Sequence, residues 1–301
     1  MGDNERALSR SRGRMQRPRE ISRVIVVVLD GLRPDAIALY GLHHIWRLAQ
    51  QGTSTFSGTT VAPSVTAAAM TSLFTGVSPE IHGLTSDRFH IPRPRGRVDL
   101  LPRVLASRGL PSTTCLAELP RAYRGLGARI AEHLGVTEAR FKGTTAAEIL
   151  VAGRDLLHRQ RRGLIVFHWP DADRAGHAHG WMSPQYGTAA RHLDAALGLL
   201  AAIADVQTDR STVLIALADH GGGGVCRTHH DSAHRHDRTI PIVVVGGSVQ
   251  PGALRRSASL LDVPATVAWA LGVAPPASYA GEPLVEAFTR AREPMLAAAI
   301  A

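Results

Sequence analysis

The chain is predicted to fold as a layered α/β structure around a mainly parallel sheet. Three observations carry that prediction: short apolar runs recur along the 301 residues, segments of helical period separate them, and no internal repeat or clean linker divides the sequence. Residues 1–22 lack periodicity and are expected to form a disordered, Arg-rich tail, leaving 23–301 as one domain. Val24–Leu29 is the first strand, apolar throughout, as a strand covered on both faces must be. His44–Gln51 and Thr66–Thr75 read as helices. The second is bounded by Pro63, which blocks an earlier start, and by Gly76, which ends it; alanines fill the interval. Ile91–Arg97 is a Pro/Arg loop. Helix Leu100–Arg108, strand Ser112–Leu116, helix Thr145–Arg161, strand Leu164–His168, helix Tyr186–Ala204 and strand Val213–Ala218 then alternate. Gly221–Arg238 is too rich in Gly, His and charge for a core element and reads as a loop; strand Ile240–Val245 and helix Leu261–Leu271 follow.

Composition bounds the function. The formal net charge is +9 with a pI near 10.8, and Lys142 is the only lysine. Seven arginines against three acids in the first 23 residues place +4 of that charge in the tail. Such an arm suits nucleic acid or an anionic surface, but an Arg-biased tail is the commoner reading, so nucleic acid is not the expected partner. No apolar stretch is long enough to span a bilayer or to serve as a secretion signal. The two cysteines, Cys115 and Cys226, form no motif and point to a reducing compartment, hence the cytoplasm.

Chemistry-bearing residues gather at strand ends. Asp30 closes the first strand and opens Asp30-Gly31; Asp219-His220-Gly221 closes the strand Val213–Ala218. In open α/β sheets, the carboxyl edge is where ligands bind. Nine of the fifteen histidines lie between His168 and His236, interleaved with aspartates. Asp173 and His177 are four residues apart, with Gly176 expected to let the backbone fold tightly so that both face one ion. That spacing selects Asp173 over Asp171, which is left to orient the ligands. Imidazole and carboxylate together suit zinc, with manganese as the alternative, and the inventory suffices for two ions with about three protein ligands each. Trp169 and Trp181 flank this region and could stack on a substrate ring or simply pack; Gly221–Gly224 could cradle phosphate or simply turn.

Thr66 falls in the first turn of its helix, where free N–H groups and the helix dipole stabilise an anion. A hydroxyl there beside a divalent cation can serve as nucleophile; taken alone, Ser64 or Thr66 would be a helix cap.

Together Asp30-Gly31, Thr66 with Thr75-Gly76, Pro79-Glu80-Ile81-His82-Gly83, Asp173-x-x-Gly176-His177 and Asp219-His220-Gly221 resemble the alkaline phosphatase superfamily, in its type I phosphodiesterase/nucleotide pyrophosphatase branch. The matches run in family order from about Val24 to Gly272. The resemblance implies an alkaline-phosphatase-like three-layer sandwich, with helices on both faces of the sheet. It also implies two zinc ions and hydrolysis of small phosphate esters through a covalent phospho-threonine at Thr66. Carried over, Asp30, Asp219 and His220 would hold the ion beside Thr66. Asp173 and His177 would hold the other with one downstream histidine: His230 by its distance to the next strand, with His229 and His234 as alternatives. Relatives often place an Asn after the His-Gly pair to contact phosphate; here Asp87-Arg88 stand in that region as candidate substrate contacts. The Cys- or Ser-led x-Pro-x-Arg sulfatase signature is lacking around Thr66. Phosphomonoesterase, phosphonate hydrolase or sulfatase-like activity on the same fold is the enzymatic alternative, and a tail-driven nucleic-acid-binding protein the non-enzymatic one.

Overall fold

The computed structural model describes residues 21–87, 92–254 and 256–288. Along the first half of the chain the elements are β1 (Arg23–Leu29), α1 (Pro34–Leu39), α2 (His43–Gln51), β2 (Thr53–Thr59), α3 (Thr66–Thr75), α4 (Pro79–His82), α5 (Leu101–Ala106), β3 (Ser112–Leu116), α6 (Arg124–Leu134) and β4 (Glu138–Phe141). The second half gives α7 (Ala146–Arg159), β5 (Gly163–Trp169), α8 (Asp171–His179), α9 (Pro184–Ile203), β6 (Thr212–Leu217), α10 (Arg235–Arg238), β7 (Thr239–Val245), β8 (Gly252–Ala253) and α11 (Asp262–Ala270).

All eight strands join one sheet in the order β4-β3-β5-β1-β6-β7-β2-β8. β4, β3, β5, β1 and β6 run parallel, and β7 is antiparallel to both its neighbours. The expected α/β architecture, mainly parallel and covered by helices on both faces, is therefore present. β1 lies at the centre, where its Val/Ile run is buried along its whole length. Parallel strands have no solvent face to spare for polar residues, so the run is continuous rather than alternating.

Three strands escape the apolar pattern, and each for a positional reason. β2 (TSTFSGT) is half-exposed near an edge and broken by a register shift between Thr55 and Gly58. β4 is an edge strand with no buried residue, and β8 is two exposed residues long. Helix ends follow local chemistry: a capping box of Thr145 with Glu148 opens α7, Ser183 accepts from the Tyr186 N–H to open α9, and left-handed Gly76 closes α3.

The expected tail 1–22 lies outside the described residues except for Ile21 and Ser22. Ile21 is buried in the core and Ser22 N–H donates to Ser211 O, so both belong with the sheet. At the edge opposite the catalytic candidates, Arg23 is fully buried. Its guanidinium donates to Leu157 O (2.6 Å), Ala204 O (3.0 Å) and Thr212 Oγ1 (2.9 Å), stitching the ends of α7 and α9 to β6. No helix among the described residues is long and apolar enough to cross a membrane.

Candidate metal and catalytic site

The carboxyl ends of β1 and β6 lie side by side because the two strands pair in parallel register, Val28 opposite Leu217. Asp30 and Asp219 therefore emerge together, both buried. The Asp219 carboxylate is aimed by its own surroundings: Gly31 N–H (3.3 Å) and His220 N–H (3.0 Å) both donate to Oδ1, leaving Oδ2 without a partner. Gly31 is left-handed at φ 69°, and a Cβ there would lie 2.9 Å from Asp173 Cα. That close approach lets α8 seat directly on the strand end, where Asp173 N–H donates to Asp30 O (3.0 Å).

α8 corrects one expectation. Asp173 and His177 face the same way because they are one helical turn apart, not because Gly176 bends the chain. Gly176 instead makes room for the Trp181 ring, 2.6 Å from where a Cβ would be. Asp171 accepts from the Ala146 N–H (2.8 Å) and so anchors α7 rather than orienting a ligand.

The histidines supply the strongest electrostatic clue. His177 Nδ1 lies 2.8 Å from Thr228 O, His220 Nδ1 2.9 Å from Gly221 O and His230 Nδ1 2.6 Å from Ser64 O. A carbonyl only accepts, so each Nδ1 carries the proton and each Nε2 presents a lone pair. Those lone pairs converge. His230 Nε2 is 3.1 Å from His177 Nε2, and Asp173 Oδ1 is 3.4 Å from His177 Nε2 and 3.7 Å from His230 Nε2. His220 Nε2 is 3.3 Å from Asp30 Oδ1 and 3.6 Å from Asp219 Oδ2. Asp30 Oδ1, Asp173 Oδ1 and Asp219 Oδ2 are buried without hydrogen-bond partners. Acceptors facing acceptors inside a protein repel unless a cation lies among them. The residues fit divalent ions in two overlapping groups, Asp30–Asp219–His220 and Asp173–His220–His230, with His177 joining the second.

Without a cation, this crowding shifts the ionisable groups. Burial first, then the neighbouring Asp219 and Asp173, raises the Asp30 pKa well above the usual carboxylate range. Burial acts the same way on Asp173 and outweighs its histidine neighbours. For Asp219, burial is outweighed by His220, His168 and the Gly31 N–H, so its pKa is lowered. His230 is pushed down to about 4, chiefly by burial and then by His220, whose ring stacks on it at 3.8 Å.

Thr66 begins α3, and its Oγ1 stands 3.0 Å from His220 Nε2, so the hydroxyl donates into the pocket. Ser64 donates to His230 O while His230 returns the bond to Ser64 O, clasping the Thr66 turn to the loop that bears His230. Asp87 Oδ1 accepts from Ala67 N–H (2.8 Å), in the first turn of the same helix. An open cavity of about 420 Å³ beside it is lined by Pro63, Val65, Thr85, Ser86, Asp87 and Asp231. Arg88 lies outside the described residues.

The structure thus gathers Asp30, Thr66, Asp173, His177, Asp219, His220 and His230, with Asp87 alongside, and leaves His229 and His234 aside. His229 is exposed against Cys226, and His234 packs on His236. Trp169 and Trp181 are buried, so packing, not stacking on substrate, is their role; Trp181 Nε1 donates to Gly31 O (3.0 Å). The four N–H groups of Gly221–Gly224 are spent on Asp237 O, His236 O, His229 O and Asp237 Oδ1, which leaves no phosphate nest. His82 is structural: Nδ1 accepts from Leu84 N–H (3.1 Å), so Nε2–H donates to Ser72 Oγ (3.0 Å).

Sequence reasoning passed over His168. Its Nε2 is buried, 3.2 Å from Asp30 Oδ2 and 4.0 Å from Asp219 Oδ2. Its place at the end of an apolar run was visible, but only the register with β1 reveals which carboxylates it meets.

A family model described as type I phosphodiesterase/nucleotide pyrophosphatase matches residues 24–99 and 114–247. A search of curated proteins finds no match. Among solved structures, an inactive threonine-to-alanine variant of murine ectonucleotide pyrophosphatase/phosphodiesterase 5 in complex with AMP is similar at TM-score 0.68 and 14% identity, covering 85% of this chain and 96% of that one. A protein in the alkaline phosphatase superfamily from Vibrio parahaemolyticus gives 0.68 and 16%, covering 92% and 72%. A putative sulfatase from Bacteroides thetaiotaomicron gives 0.68 and 12%, covering 89% and 75%. At such identities these likenesses speak for the fold.

Proposed function

We propose, for a chain that belongs to the type I phosphodiesterase/nucleotide pyrophosphatase family, that it hydrolyses phosphodiesters or nucleotide pyrophosphates by covalent catalysis at Thr66. The observation that carries the proposal is the Thr66 hydroxyl at a helix start, 3.0 Å from His220 Nε2, beside buried carboxylates and imidazoles whose free acceptors face one another. Asp30, Asp219 and His220 would hold one divalent cation against Thr66, and Asp173, His177 and His230 a second. An imidazole–carboxylate set suits zinc first and manganese second. Bound there, two such ions supply Lewis acidity and positive charge for displacement at phosphorus.

The chain's own groups do the rest. Thr66 gives up its hydroxyl proton to solvent as its Oγ attacks phosphorus in line, the bond to the leaving oxygen breaks, and the leaving group takes up a proton from solvent. A water then cleaves the phospho-threonine, restoring the hydroxyl and releasing a phosphomonoester. Backbone N–H groups of the first turn of α3 steady the nonbridging oxygens. Asp87 already has its carboxylate on one of them, the Ala67 N–H. A fixed negative charge there penalises a dianionic monoester more than a monoanionic diester, which supports the diester preference.

Two unpaired cysteines, one buried and one exposed, support a cytoplasmic location. The test is bis-p-nitrophenyl phosphate turnover by Thr66→Ala with zinc and with manganese. Turnover should vanish while metal content and fold persist. An undiminished rate would remove Thr66 from the mechanism.

A further inference from the structure

We infer that the cavity between β7, β2 and the start of α1 is a second binding site, built for a small aromatic phosphomonoester. It measures about 280 Å³, and its wall includes Arg33, Asp35, Phe56, Arg235, His236 and Thr239. No step at Thr66 uses it, and the inference does not rest on the catalytic reading above.

The sheet separates this cavity from the cation pocket. Val28 pairs with His168 and with Leu217, and Leu217 pairs with Ile242. Paired residues share a face and neighbours along a strand alternate. Ile242 and Ile240 therefore lie on the face of His168, and Thr239 lies on the other. His168 Nε2 is 3.2 Å from Asp30 Oδ2, which puts the candidate cation ligands on its own face.

The wall of the cavity offers donors and little that accepts. Asp35 is its one carboxylate, and both oxygens already take bonds from Arg33, Nε to Oδ1 (2.9 Å) and Nη2 to Oδ2. Arg33 Nη1 donates to Gly222 O (3.2 Å). A guanidinium has five N–H groups, so Arg33 keeps two without a partner among the described residues, although the residue is only 6% exposed. Buried donors are ordinarily satisfied, and these two call for an acceptor. Arg235 is exposed, and its side chain makes no hydrogen bond or ion pair among the described residues. The charges of Arg33 and Asp35 cancel, which leaves Arg235 to make the cavity electropositive.

Such a donor surplus selects an oxyanion. Guanidinium groups match phosphate and carboxylate alike, but the three free oxygens of a phosphomonoester answer more donors than the two of a carboxylate. Phe56 supplies the apolar side of the recognition. Its ring is held by stacking on Trp46 of α2, with centroids 5.7 Å apart and planes 17° from parallel, and it offers a flat wall to a ring on the ligand. The volume is just under the range of about 300–1,000 Å³ usual for small-molecule sites, so the ligand belongs at the small end of that class.

The test is isothermal titration calorimetry of phenyl phosphate into the full chain carrying Thr66→Ala to block turnover, both as purified and after chelation of metal. Binding at this site should persist after chelation, whereas any binding at the catalytic cations should go with them. In the chelated chain, Arg235→Gln should weaken binding by about 10-fold or more, the usual consequence of losing a charged donor. Phe56→Leu should weaken it by about 2–10-fold. Urea unfolding checks that both variants are folded. Inorganic phosphate lacks the ring and benzoate lacks the third oxygen, so each should bind more weakly than phenyl phosphate.

Absence of phenyl phosphate binding after chelation would overturn the inference, as would an affinity that neither substitution moves. Benzoate bound as tightly as phenyl phosphate would overturn the choice of phosphate, and inorganic phosphate bound as tightly would overturn the aromatic half of the assignment.

Discussion

Replacing Gly31 by alanine should damage the fold and the site together, and the structure allows the two causes to be separated. Gly31 has φ 69°, a region that costs an L-residue about 1–2 kcal/mol. Its added Cβ would also lie 2.9 Å from Asp173 Cα, 3.0 Å from Asp173 Cβ and 3.1 Å from Asp173 N, all on the helix that must seat against Asp30. Overpacking of that kind costs about 1–3 kcal/mol, for a total of about 2–5 kcal/mol. Gly109 is the control for strain alone: its φ is 66°, but nothing lies within 4 Å of its would-be Cβ. Gly252, with open space and no left-handed φ, is the control for neither and should stay within about 0.5 kcal/mol of wild type. Urea unfolding of the metal-free proteins should rank Gly31→Ala well below Gly109→Ala, and Gly109→Ala below Gly252→Ala. Zinc binding at equilibrium should weaken only in Gly31→Ala, because only there is the Asp173 N–H to Asp30 O bond displaced. Equal stability of Gly31→Ala and Gly109→Ala, with unchanged zinc binding, would refute the claim that close approach of α8 builds the site.

Asp237→Ala should unfasten the loop that carries His230, since Asp237 accepts from Gly224 N–H, Ser232 N–H and Ser232 Oγ–H. The expected loss is about 1–3 kcal/mol in unfolding and a weaker second metal equivalent, read by the same titration. Asp87→Asn should raise monoester turnover relative to diester turnover, measured as the ratio of kcat/KM values for p-nitrophenyl phosphate and its bis ester; an unmoved ratio removes Asp87 from substrate choice. The metal-free protein should lose stability as pH falls from about 6.5 to 4. His82 is pushed down to about 4 by burial, so below pH 6.5 the unfolded chain takes up a proton that the folded one refuses. His82→Gln should flatten the stability curve across that window, and an unchanged slope would count against the assignment.

How much of this was legible beforehand depends on where each residue stands. β1, β5 and β6 announce themselves because central parallel strands must be apolar on both sides, and their ends then locate Asp30, Asp219 and His220. β2 and β4 do not, because near-edge strands keep polar side chains. α8 was hidden for a related reason. Its sequence, Asp171 to His179, buries only Ala172 and Gly176, so no apolar stripe marks it. The pairing of Asp173 with His177 was nonetheless readable from spacing, though the physical cause assigned to it was wrong. His168 and the spent N–H groups of Gly221–Gly224 depend on register and on long-range bonds, which composition does not encode. The choice of His230 over its neighbours likewise becomes physical only through its clasp with Ser64.

Among the described strands the one at the middle of the sheet is made first, and its two neighbours come fifth and sixth. Arg23–Leu29 must wait for Gly163–Trp169 before its first edge is hydrogen-bonded and for Thr212–Leu217 before its second is. At about 5–20 residues per second, the interval before Thr212 is made is roughly 10–40 s. Until Gly163–Trp169 is made, this Val/Ile ribbon offers two open edges to any passing chain, and until Thr212–Leu217 is made it still offers one. Synthesis of this protein should therefore be slow to become productive and sensitive to chaperone supply, for reasons set by strand order and not by final stability.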